Sequence, residues 1–260
     1  MFAFALLLLT LNSLTTFAGE AVLAHGWTGA LLNLFDVSAV IWVGIFGGTA
    51  LVWSSTSATT LSKTDALWLC AAVIAALVPV PVASSAMLSL LAGWGWLSSA
   101  ERSPVRRASA IFFSLTAFLL WGRLLLAWGS GPLLAGDAQF VALLAGTQSA
   151  GNGVSFADGT RFVIAPGCSS LHGVSLALIL WTTVVQYFAI VQDRRAALTL
   201  VLAISGSIAV NGLRLAVIAL NPQDFAWWHV GTGGALFGWL SLSVIAGIMF
   251  WGLGHARQLA

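Results

Sequence analysis

The chemistry this sequence offers is concentrated in one thiol, two imidazoles and one guanidinium. Cys168 follows the breakers Pro166 and Gly167, precedes Ser169 and Ser170, and has His172 one turn further along. A thiol at the start of a helix feels the positive end of the macrodipole, which favours the thiolate nucleophile. The alternative is a small side chain that happens to begin a helix. Asn211 and Arg214 stand three residues apart and so share a helix face. Arg214 lies ~9 Å of helix rise from the end of its apolar run, deeper than an ordinary headgroup anchor; snorkelling or interhelical bonding is the competing reading. His229 follows Trp227 and Trp228, aromatic anchors of the kind found at membrane interfaces. A cysteine nucleophile, a histidine acid/base and a cationic oxyanion partner are the groups acyl transfer requires.

The elements that must position these groups are apolar helices. Of 260 residues 59% are hydrophobic and only 7% charged, whereas a soluble domain carries about 25% charged residues. Mean hydropathy is +0.98. Eighteen charges cannot solvate a globule of this size, and a net charge of +2 makes no footprint for a polyanion. Disorder, nucleic-acid binding and a cytosolic enzyme are excluded as leading readings, and a single polytopic membrane domain over residues 1–260 is expected.

Eight apolar runs predict spans over residues 2–18, 37–53, 65–80, 83–97, 108–128, 170–191, 197–220 and 233–253. The third and fourth, joined by Pro79 and Pro81, read as a tight hairpin or one broken element. The first has a small-residue site resembling that of a signal peptide but no basic segment before it, so an uncleaved helix is preferred. Lys63, Arg102, Arg106, Arg107, Arg194, Arg195 and Arg257 fall in segments that eight spans place in the cytoplasm, leaving Arg161 alone on the opposite side. Cys168, His229 and the outer half of the Arg214 span then share the extracytoplasmic face. Residues 129–167 are too long for a simple connector: residues 138–144 are read as an interfacial stretch. Alternating runs around Asp158 and Gly159 predict a β-hairpin leading into Cys168. Arg161 is read as decorating that hairpin, His25 and His255 as solvated, Arg123 as structural, and Cys70 as inert packing in an apolar span. Two cysteines make no disulfide framework and no metal spacing.

The run Ala-Pro-Gly-Cys-Ser-Ser at residues 165–170, Asn-Gly-Leu-Arg at residues 211–214, and the later His229 resemble the Cys, Arg, His pattern of the exosortase/archaeosortase family of polytopic membrane transpeptidases. The resemblance covers residues 151–253; the N-terminal half, residues 1–128, is similar only in being hydrophobic, so the catalytic half is residues 129–260. It implies an all-α membrane protein of about eight spans in a prokaryotic cytoplasmic membrane, with Cys168 as nucleophile, Arg214 as oxyanion or substrate-carboxyl partner and His229 as acid/base. Asn211 matches an Asn that precedes the Arg, and Ser169 supports the nucleophile. Ser170 departs from the family, where Gly stands, and His172 competes with His229 as base. The implied substrate is an exported protein with a C-terminal tail of a short motif such as Pro-Glu-Pro, one hydrophobic helix and a basic end. The implied acceptor is water, a lipid or a glycan, and no cofactor is needed. Two other readings use the same residues: a transporter or assembly scaffold in which Arg123 and Arg214 bind an anion, and a metal or haem protein using Cys168, His172 and His229.

Overall fold

The computed structural model describes residues 2–55, 62–156, 160–229 and 231–254. The chain is mostly helical, 82%, with one small antiparallel sheet. In chain order the elements are α1 Phe2–Ser13, α2 Thr15–Leu32, α3 Ala39–Trp53, α4 Lys63–Leu77, α5 Pro81–Ser98, α6 Pro104–Thr116, α7 Gly122–Ala145, β1 Gln148–Ala150, β2 Gly153–Ser155, β3 Arg161–Val163, α8 Leu171–Tyr187, α9 Arg194–Leu220, α10 Phe225–His229 and α11 Thr232–Leu253. A π-helical turn, Ala117–Trp121, leads from α6 into α7.

Among the described residues, three stretches are long and apolar enough to cross a membrane: Pro104–Ala145, Arg194–Leu220 and Thr232–Leu253. The pair Phe2–Ser13 and Thr15–Leu32, bent by 47°, makes a fourth if it is one broken span. That is fewer than the eight runs read from composition. α3 has 15 residues and α8 has 17, and an untilted helix needs ~20 to cross the hydrocarbon layer. α11 carries no charged residue over its 22 positions, and Phe250 and Trp251 on it are 83% and 63% exposed. Apolar surface of that kind suits lipid better than water.

Two boundaries move in ways that matter. The first apolar run continues as helix beyond residue 18 to Leu32, with a break at Gly26, instead of opening into a loop. The segment after residue 128 is also helical, and the stretch read as interfacial, residues 138–144, is the C-terminal part of α7. Pro132 sits inside α7 because Gly129 leaves helical geometry (φ −127°, ψ 23°), which absorbs the kink that a proline imposes on the preceding turn.

The chain forms two compact units. In the first, residues 1–121 with 179–190, α5 and α3 pack on α6, and α4 and α5 form a hairpin across Val78–Val80. Asn12 Nδ2 ties α1 to this hairpin by donating to Ala76 O and Ser84 Oγ at 3.1 and 2.8 Å. Arg107 donates to the carbonyls of Gln186 and Tyr187 at the end of α8, so this cation caps a helix C-terminus. His25 lies 3.5 Å from the Asp36 carboxylate, a partner the sequence reading did not foresee. Cys70 is exposed on α4, not packed inside. Its place in an apolar span had suggested burial, but an apolar helix in this composition turns such residues outward.

The second unit, residues 122–178 with 191–260, holds every candidate site residue. Its core joins α7, the sheet and α9 through Leu134, Ala138, Val141, Val154, Ile164, Leu215 and Ile218. Gly212 lets α9 approach α7 closely, since a Cβ there would collide with the Phe140 ring. The sheet has order β1-β2-β3, with Ser149 opposite Val154 and Val154 opposite Phe162. The β1–β2 turn is the pair Gly151 and Asn152, with Gly151 at φ +57°, a conformation glycine adopts without a Cβ penalty. The expected hairpin is β2–β3, closed by the Phe156 N–H donating to Thr160 O; Asp158 and Gly159 lie outside the described residues, as does His255. Arg161 does more than decorate it: Nη2 reaches Ala150 O at 2.9 Å, spanning to β1.

Candidate active site

β3 delivers the chain to the site. Ile164 is buried in the core and fixed at both backbone groups: its N–H donates to Asn152 O, and its carbonyl accepts from Asn152 Nδ2. The chain then turns through the 3-10 segment Pro166–Cys168, where the Cys168 N–H donates to Ala165 O at 2.9 Å. Cys168 therefore precedes α8, which begins at Leu171, instead of occupying its first turn.

The N–H groups of Cys168, Ser169, Ser170 and Leu171 are occupied. Ser169 N–H donates to Pro166 O, Leu171 N–H to Ser169 Oγ at 3.3 Å, and Ser170 N–H to the Asp137 carboxylate at 3.1 Å. The Ser170 hydroxyl donates to the other Asp137 oxygen at 2.6 Å. Ser170 thus uses the hydroxyl that distinguishes it from glycine. With these four donors engaged, side-chain donors are better placed to meet an oxyanion formed at Cys168.

Opposite the thiol stand groups from α9 and α10. Cys168 Sγ lies 3.2 Å from His229 Nε2, across 61 residues of sequence. The Phe225 ring stacks on the imidazole with centroids 4.8 Å apart and planes 13° apart, which fixes the ring's tilt. Arg214 Nη2 donates to His229 O at 2.7 Å, and its Nε reaches Trp228 O at 3.5 Å. One guanidinium therefore holds the backbone that carries the imidazole. Its two Nη1 N–H groups make no hydrogen bond among the described residues. Asn211 Nδ2 donates to Cys168 O at 3.0 Å, one turn from Arg214 along α9. Cys168, Asn211, Arg214 and His229 are thereby brought together, with Ser169 buried beside the thiol. His172 is exposed on the first turn of α8. Arg123, at the other end of α7 from the sheet, is on the order of 20 Å of helix rise from Asp137.

The electrostatics differ from the expectation of a ready-made thiolate. Burial pushes the Cys168 thiol above its ordinary value; the Arg214 charge and the Ala165 contact pull the other way but do not win. The macrodipole argument falls short because the thiol precedes the helix, whose first N–H, that of Leu171, is already capped by Ser169. As a thiol, Cys168 can donate its S–H to His229 Nε2 when the imidazole proton is on Nδ1. Raising the folded-state value means that the reactive thiolate forms only at higher pH. Alkylation of Cys168 by N-ethylmaleimide in a Cys70→Ser chain should accelerate with pH, with a midpoint above that of an ordinary free thiol. A midpoint below that value would show the Arg214 charge outweighing burial.

Sequence reasoning missed the Phe225 ring stacked on His229 and the Asp137 carboxylate. The available signal was a carboxylate set among apolar residues just before the 138–144 run, an expensive placement at membrane depth. Among the described residues, no group of three or more His, Cys, Asp or Glu side chains could hold a metal ion. No family model, curated protein or solved structure matches this chain.

Proposed function

We propose that the chain is an exosortase-like membrane cysteine peptidase/transpeptidase, acting on C-terminal tails of exported proteins. The observation that carries this reading is the 3.2 Å approach of Cys168 Sγ to His229 Nε2, from segments 61 residues apart. Nucleophile and base within hydrogen-bond reach, with the base held by further groups, is the arrangement covalent acyl transfer uses.

The chemistry follows from those positions. His229 Nε2 takes the thiol proton as Sγ attacks the scissile carbonyl. The oxyanion charge is met by the Nη1 donors of Arg214, whose other nitrogens keep the His229 segment in place. Collapse of the intermediate breaks the C–N bond, His229 returns its proton to the leaving amine, and a thioester on Cys168 remains. Water, or a hydroxyl or amine on a lipid or glycan, then loses its proton to His229 and attacks the thioester, restoring the thiol. No step calls for a cofactor. Eight spans with a cytoplasmic N-terminus would put this chemistry on the extracytoplasmic face of a prokaryotic inner membrane, where the substrate's apolar helix would hold its tail beside the site.

The decisive experiment is to trap the acyl-enzyme. Membranes containing the chain and a tagged exported protein ending in Pro-Glu-Pro, one apolar helix and an Arg cluster should yield, after acid quench, a hydroxylamine-labile adduct on Cys168. Tail cleavage with no such adduct, or an adduct on Cys70 instead, would remove Cys168 from the chemistry.

A further inference from the structure

We infer that Asp137, acting through Ser170, is the positioning residue that sets the Cys168 thiol against His229; the inference deepens the peptidase reading and, for its catalytic consequence, rests on it. Two consecutive peptide groups flank the nucleophile on its C-terminal side, and different helices hold them. Asn211 of α9 holds the carbonyl of Cys168 at 3.0 Å, and Asp137 of α7 holds the N–H of Ser170 at 3.1 Å. The second carboxylate oxygen accepts the Ser170 hydroxyl at 2.6 Å, so each Asp137 oxygen has its own donor. Hydrogen bonds to a charged acceptor are shorter and stronger than neutral ones.

A local helix cap does not account for this contact. Ser169 Oγ already accepts the Leu171 N–H in the manner of a cap. Asp137 arrives from 33 residues away and stands on a part of α7 whose neighbours Leu134, Ala138 and Val141 are buried in the core. That core also contains Leu215 and Ile218 of α9, the helix carrying Asn211 and Arg214. Nucleophile, base-holding guanidinium and both backbone ties therefore refer to one packed frame. The frame matters because the thiol sits in a 3-10 turn, outside any helix that would hold it by its own ladder. Freeing that turn lets Sγ drift from Nε2, and displacement of a reacting atom by about 1 Å costs on the order of 100-fold in rate.

The test compares full chains carrying Asp137→Ala, Asp137→Asn and Ser170→Ala in membranes, at matched levels. Asparagine keeps both ties, accepting the Ser170 N–H on Oδ1 and donating from Nδ2 to Ser170 Oγ; alanine keeps neither. Cleavage of the tagged Pro-Glu-Pro reporter should fall about 100-fold in kcat for Asp137→Ala, with KM unchanged, and stay near the parent for Asp137→Asn. Ser170→Ala loses only the hydroxyl tie and keeps the N–H tie to the carboxylate, so its kcat should fall less, on the order of 10-fold. Hydrogen–deuterium exchange should accelerate over residues 165–173 in Asp137→Ala alone, with α9 and α11 unchanged. Parental kcat in Asp137→Ala, or Asp137→Asn as damaged as alanine, would overturn the inference. Were Asp137→Ala not to reach the membrane, parental kcat in Ser170→Ala would overturn it equally. Parental processing by Cys168→Ala would instead sink the peptidase reading, and the exchange measurement would still decide whether Asp137 holds the thiol segment.

Discussion

Cys168→Ala is expected to reduce tail processing to background, a loss on the order of 10⁶-fold, because no other group can form the acyl-enzyme. The structure leaves little room for a substitute. Ser169 is buried with its oxygen accepting the Leu171 N–H, and the Ser170 hydroxyl donates to Asp137. Cys70 belongs to α4 in the other compact unit. Cys168 also packs against the core of its own unit, so its truncation carries a stability cost of about 1 kcal/mol, too small to account for complete loss. Cys168→Ser separates the two contributions further. It keeps the volume and a donor to His229 but offers an alcohol in place of a thiol, so it should be nearly as inactive as alanine while matching the parent in membrane level. Immunoblots of the tagged reporter in cells, beside blots of each variant, read both quantities. Mature-size reporter at the parental rate from Cys168→Ala would end the peptidase reading.

What the sequence could show followed from periodicity and length. The spans read over residues 197–220 and 233–253 coincide closely with α9 and α11, because both runs are apolar over at least 20 residues and have polar or Gly/Pro punctuation at each end. The β2–β3 hairpin was legible for the complementary reason, an alternating pattern around a turn dipeptide. The shorter runs also form helices, but α3 and α8, at 15 and 17 residues, fall below the ~20 that an untilted span needs, so length alone does not mark them as spans. The reading of residues 129–167 as a segment beyond the span, with 138–144 interfacial, passes over Asp137, whereas Gly129 lets the helix bend past Pro132 and continue to Ala145. The Cys, Arg and His positions were legible as residue types with an order. Which atoms they would meet was not, because Arg214 binds backbone carbonyls and Asn211 binds the carbonyl of Cys168, partners that any sequence supplies everywhere. The sign of the Cys168 shift was hidden for the same reason: burial depends on neighbours remote in sequence.

Arg214→Lys tests whether this cation acts by charge or by shape. A lysine at the same place retains +1 and can point one ammonium hydrogen at a carbonyl. It lacks the planar fork by which Nη2 holds His229 O at 2.7 Å while Nη1 remains unengaged. Two functions therefore compete for one compact ammonium: fixing the histidine segment and meeting the oxyanion. If the ammonium keeps the His229 carbonyl, the oxyanion loses its donor, and removal of one such donor costs about 10²- to 10³-fold in kcat. If it turns to the oxyanion, the segment carrying the imidazole loses its anchor, and the 3.2 Å contact with Cys168 is no longer enforced. Either way processing should fall at least about 100-fold with the charge intact. A scaffold or transporter that uses Arg214 for an anionic ligand predicts the reverse, since a point charge serves a freely hydrated anion nearly as well. The readout is reporter processing in membranes, with N-ethylmaleimide labelling of Cys168 confirming that the thiol is still present and reachable. Near-parental processing by Arg214→Lys would show that the guanidinium's geometry is dispensable and would withdraw both roles assigned to it. Loss in Arg214→Lys together with unchanged processing in His229→Ala would keep the cation in the site and move the base elsewhere, with His172 on the first turn of α8 the nearest alternative in sequence.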